Sequence, residues 1–84
     1  MNSYVPEEFT KRVRNLINKK IGIKKNTDYI KAYKQEHLNM CVAIGVSDTF
    51  LADIEKYEQR PRHEILEKMS AYFSVRITYL LLGE

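Results

Sequence analysis

Phe9, Val13, Leu16 and Ile17 recur at intervals of three and four, so residues 6–20 read as an amphipathic helix. Pro6 suits its first position, Glu7 and Glu8 favour the positive end of the helix dipole, and Lys19 and Lys20 favour the negative end. The stem of Lys20 extends the apolar face, and Gly22 stops the helix. Asn26, Thr27 or Asp28 can cap a second, unusually long helix with an inward stripe of Ile30, Tyr33, His37, Met40, Cys41 and Ile44. Gly45 breaks that stripe. Ser47 is a good N-cap for a third helix that carries Leu51, Ile54 and Tyr57 on one side. Arg60-Pro61 marks a loop. Ile65, Leu66, Met69, Tyr72 and Phe73 form the stripe of a fourth helix, closed by Val75, and a short fifth spans residues 77–82 and ends at Gly83. No stretch alternates with the period of a strand, so the expected class is all-α.

The chain has 84 residues, the length of one small domain, and its 44% hydrophobic and 30% charged composition is that of a globular sequence. We therefore expect one domain over residues 1–84. Cys41 is the single cysteine, which rules out an internal disulfide framework or a cysteine-cluster zinc site and fits a reducing cytoplasm. No apolar run, that of residues 79–82 included, approaches the length needed to span a bilayer, so neither export nor membrane insertion is expected. The formal net charge of +3 is unevenly spread. Residues 1–42 hold nine Lys or Arg against four Asp or Glu, whereas residues 43–84 hold five against seven. One half is basic and the other mildly acidic.

The stretch Met40-Cys41-x-x-Ile44-Gly45-Val46-Ser47-x-x-x-Leu51-x-x-Ile54 has the spacing of a helix-turn-helix: a small residue at the crossing, a glycine at the turn, and apolar anchors on both sides. Beyond it come Ile54-Glu55, Arg60-Pro61, Leu66, Met69, Ser70, Phe73, Val75 and Tyr79-Leu80-Leu81. In order and spacing, residues 37–84 resemble the Cro and lambda-repressor-like (XRE-type) family of five-helix DNA-binding domains. That resemblance implies a recognition helix over residues 47–57. Ser47, Asp48, Thr49 and Asp53 would face bases or phosphates, Lys56, Arg60 and Arg62 would lie near the DNA backbone, and His37 would stand where the family opens its second helix on a phosphate. Three features depart from the family. The connector and second helix, residues 21–36, are longer. Tyr57 replaces the glycine that usually follows the recognition helix. Residues 47–58 contain four acids, Asp48, Asp53, Glu55 and Glu58, against one base, Lys56, and acids repel phosphate.

Two functions follow as expectations. The first is a small sequence-specific regulator that binds double-stranded DNA. The second is a protein-interaction module, such as an antirepressor, that keeps the fold and docks on a regulatory protein. No acid–base pair, nucleophile motif, metal spacing or phosphate loop is present, so no enzyme activity, metal or cofactor is expected. Cys41 reads as a small core residue, and His63 as a surface one. Lys24, Lys25, Lys31 and Lys34 interleave with Tyr29 and Tyr33, a pattern open to single-strand stacking, though Tyr33 also belongs to the core stripe. A lone helix-turn-helix unit usually needs a twin. Tyr72, Ile77, Tyr79, Leu81 and Leu82 offer apolar surface for a homodimer contact.

Overall fold

The computed structural model describes residues 4–22 and 28–84. Five helices follow in chain order: α1 (Pro6–Ile21), α2 (Tyr29–Ile44), α3 (Phe50–Tyr57), α4 (His63–Phe73) and α5 (Ile77–Leu82). No strand occurs among the described residues. Asp28 occupies the N-cap position of α2. Lys24, Lys25, Asn26 and Thr27 lie outside the described residues.

One apolar cluster draws on all five helices. Phe9, Val13, Leu16 and Ile17 of α1 join Met40, Cys41 and Ile44 of α2, Leu51 and Ile54 of α3, Ile65, Leu66 and Met69 of α4, and Leu80 and Leu81 of α5. The central element is α1, which contacts α2, α3 and α5, while α4 closes against α2 and α5. At this chain length a single shared core is what keeps five short helices in place, since none of them is stable alone in water. No described helix is long and apolar enough to cross a membrane.

Gly45 ends α2 in the left-handed region, at φ 75° and ψ 40°. Its N–H and that of Val46 both bond the carbonyl of Cys41 at 2.9 Å, so the chain reverses within two residues and starts toward α3. A Cβ at Gly45 would meet nothing within 4 Å, so the glycine is needed for its backbone angle and not for space. At the other end of the molecule Arg12 grips the last turn of α5, donating from Nε to the Leu80 carbonyl at 3.1 Å and from Nη2 to that of Leu81 at 2.7 Å. A cation on orphan carbonyls at a helix C-terminus is favourable both as a hydrogen-bond donor and against the dipole.

The structure corrects the sequence reading at four places. α3 begins at Phe50, with Thr49 and not Ser47 at its N-cap, because Ser47 sits in the preceding turn and its carbonyl accepts from the Phe50 N–H at 3.1 Å. Tyr57 is 59% exposed, since α3 buries its Leu51 and Ile54 side and ends one residue later, at Glu58. Ile30 is 64% exposed, because the N-terminal half of α2 packs on the core through Tyr33, and the buried residues of the helix, Met40, Cys41 and Ile44, all lie in its C-terminal half. Finally, His37 lies in the middle of α2, which begins eight residues before it and runs unbroken.

Candidate nucleic-acid interface

α3 has one turned-in side and one turned-out side. Leu51 and Ile54 are buried, Phe50 is half-buried, and Glu55 faces α1. Thr49, Ala52, Asp53 and Lys56, at spacings i, i+3, i+4 and i+7, are left along the outward face. Ser47, Asp48 and Thr49 are exposed in the turn that leads into it. A hydrogen-bonded chain orders this end: the Ser47 and Thr49 hydroxyls are 2.9 Å apart, and Thr49 donates to the Asp53 carboxylate at 2.9 Å.

The acids of this segment are not equivalent. Glu55 accepts from the Arg14 guanidinium at 2.7 Å and from the hydroxyl of Thr10, which is fully buried on α1. These bonds hold its carboxyl below the ordinary carboxylate range, with the Arg14 bond first and the Thr10 bond second. Its charge is thus matched by a fixed cation on its own scaffold. Asp53 is half-buried and engaged by Thr49. Asp48 and Glu58 are exposed, the latter as a left-handed cap at φ 50°. Lys56 leans over the Tyr57 ring, 5.3 Å from its centroid.

Beside the outward face runs a groove of about 530 Å³, lined by Ser47, Phe50 and Asp53 together with Gln59, Arg60 and Arg62. Pro61 is buried and pins the loop, while Arg60 and Arg62 on either side of it are exposed. The Tyr4 hydroxyl donates to the Gln59 carbonyl, which ties the start of the chain to the same loop. The structure therefore brings Ser47, Thr49, Asp53 and Lys56 into one strip, with Arg60 and Arg62 lining the same groove as Ser47 and Asp53.

His37 is not part of this strip. It is half-buried, its ring parallel to that of Tyr33 within 5° at 6.4 Å, and its Nε2 lies 3.8 Å from the Cys41 sulfur. Its amide belongs to the interior of α2, where N–H groups bond carbonyls four residues back and are not offered to a phosphate. Burial, followed by the nearby Asp48 charge, pushes the Cys41 thiol above its ordinary value. His63 pairs with Glu67 at 3.3 Å on open surface. Among the described residues no group of three or more His, Cys, Asp or Glu is placed to hold a metal ion.

The C-terminal apolar residues are drawn toward the monomer's own core. Leu81 is 9% exposed, and Tyr72, Ile77, Tyr79 and Leu82 are half-buried against the cluster. The Tyr72 hydroxyl donates to Glu36, and Lys20 sits 4.0 Å from the centre of the Tyr72 ring.

Three interactions escaped the sequence reading: the Thr10–Glu55–Arg14 cluster, the Arg12 clamp on α5, and the Tyr72–Glu36 bond. The first left one trace, a threonine directly beside Phe9 on the apolar side of α1. The other two join residues 68 and 36 positions apart, and no local spacing encodes that. Comparison with known protein families, with curated proteins and with solved structures finds no match for this chain.

Proposed function

We propose that the protein is a small cytoplasmic, sequence-specific DNA-binding regulator, in which α2, the Gly45 turn and α3 form a helix-turn-helix and α3 enters the major groove N-terminus first. The observation that carries this reading is the outward strip of α3. Its side chains are short or polar, its first turn is open, and the arginine pair 60 and 62 lines the adjoining groove. Neutralising Glu55 on the scaffold lowers the repulsion that the bare acid count predicts. Of the remaining acids, Asp48 and Asp53 have the chemistry to accept from the amino group of cytosine, and Thr49 to contact a base edge or a thymine methyl. Arg60 and Arg62 supply the sequence-independent attraction.

One observation favours a second reading, in which the same face docks on a protein. α2 runs through His37 without a break, so the free N–H groups with which a second helix grips phosphate are missing at that point. Retention on mixed double-stranded DNA fragments at increasing salt separates the two. A DNA binder making about six phosphate contacts is retained at low salt and loses on the order of a thousandfold in affinity by moderate salt. No retention at low salt overturns the DNA reading.

A further inference from the structure

Five large apolar side chains are exposed among the described residues, and three of them, Ile30, Leu38 and Val42, belong to α2. They are exposed by 64%, 44% and 82%. With Lys34 they occupy positions i, i+4, i+8 and i+12, which is one ridge along the helix, about 18 Å long at 1.5 Å per residue. Ridges of this kind pack into the grooves of another helix. The only acid in α2 is Glu36, and it is bonded to Tyr72 of α4, away from the ridge, whereas Lys31 and Lys34 are exposed. The face is therefore apolar and cationic along the ridge.

At its N-terminal end the ridge borders a cleft of about 470 Å³ between α1 and α2, lined by Arg14, Asn18, Tyr29, Ile30, Tyr33 and Lys34. Ile30 and Lys34 belong to both features. The cleft walls are held by side-chain bonds: Tyr29 donates its hydroxyl to Asn18, and Arg14 is fixed by Glu55 at 2.7 Å. A pre-ordered cleft of tyrosine and arginine beside an apolar ridge is the composition of a protein-binding hot spot, where a bulky anchor is buried and charges rim it.

We propose that this face of α2, with its cleft, is a docking surface for an acidic amphipathic helix of another protein. Leucine-like side chains of the partner interdigitate with Ile30, Leu38 and Val42, a bulky one enters the cleft, and flanking carboxylates pair with Lys31 and Lys34. The surface is separate from the outward strip of α3, so the proposal goes beyond the DNA reading and survives its failure.

The test uses the full chain labelled with ¹⁵N and two synthetic helical peptides that share one leucine stripe, one flanked by glutamates and the other by lysines. The acidic peptide is expected to shift amide signals of Ile30, Lys34, Leu38 and Val42 while leaving Ala52 and Lys56 unmoved. The basic peptide is expected to bind about tenfold more weakly. Val42→Ser and Lys34→Glu, both on open surface, should each weaken the acidic peptide several-fold with the helical circular dichroism unchanged. Equal binding of the two peptides, or shifts confined to α3, would overturn the proposal. So would self-association through the ridge seen by sedimentation, which assigns it to a second copy. A single-stranded oligothymidine shifting the same amides more strongly than the acidic peptide would assign the face to nucleic acid instead.

Discussion

Glu55 shows how one side chain can belong to the fold and to the charge of a binding face together. Its carboxylate satisfies the hydroxyl of buried Thr10 and the guanidinium of Arg14, joining α3 to α1. Because the folded carboxyl is held below its ordinary value, its contribution is fully present above the unfolded pKa of about 4.3 and is lost as pH falls through the folded value. Both partners are about a third or more exposed, so solvent screens the pair. Glu55→Gln is expected to cost about 1 kcal/mol in urea unfolding at neutral pH, with the deficit shrinking at pH 3. A deficit equal at both values would mean the carboxylate charge plays no part. Tyr72 has the opposite sign. Burial first, then the hydrogen bond and charge of Glu36, push its hydroxyl up to about 12. A raised folded pKa contributes stability below pH 10 that disappears as pH rises toward 12. In an alkaline titration followed by tyrosinate absorbance, Tyr72→Phe should remove the latest-titrating step and lower stability by about 1 kcal/mol near neutrality.

At the scale of helices, the ends are decided by backbone angle, and two caps make a matched pair. Gly45 sits at φ 75° with room for a Cβ, so Gly45→Ala isolates the cost of a left-handed backbone, about 1–2 kcal/mol. Glu58 caps α3 at φ 50° without being glycine, so Glu58→Gly should raise stability, by about 0.5–1 kcal/mol after the flexible unfolded chain is allowed for. Thermal unfolding of both variants checks the pair, and a destabilised Glu58→Gly would show that the Glu58 side chain does more than cap. These caps also explain what the sequence makes legible. α1, α4 and α5 stand within one or two residues of their expected bounds, because Pro6, the Arg60-Pro61 pair and Gly83 punctuate them locally. The start of α3 is not fixed locally, because Ser47, Asp48 and Thr49 are all competent cap types; Thr49 takes the position, and Phe50 after it packs against the core. Ile30 and Tyr57 stand outside the core for a related reason: periodicity gives the side of a helix, not whether another element lies opposite. The candidate strip on α3 was legible residue by residue. The silencing of Glu55 was not, since it depends on Arg14, 41 positions away.

For the whole molecule the question is where attraction to a polyanion originates. A surplus of five positive charges in residues 1–42 and a deficit of two in residues 43–84 would turn the basic half toward DNA if long-range field alone decided orientation. The outward strip of α3 lies in the other half, so orientation there must come from nearby cations: Lys56 on the strip itself, and Arg60 and Arg62 in the lining of the adjoining groove. Arg60→Ala and Arg62→Ala should each weaken binding to all DNA sequences alike and reduce the salt slope by about one unit. Thr49→Ala should leave the slope unchanged and relax preference at one or two base pairs, at a cost of about 1–3 kcal/mol. Asp48→Asn removes an exposed negative charge from the turn that leads into α3 and should raise non-specific affinity. Asp53→Asn should do so less, because Asp53 is already half-buried and bonded to Thr49. Salt titrations of these five variants against one specific and one scrambled duplex give both quantities together. If the arginine variants leave the slope untouched while Lys31→Ala or Lys34→Ala lowers it, the DNA lies along α2, and the strip on α3 has another partner.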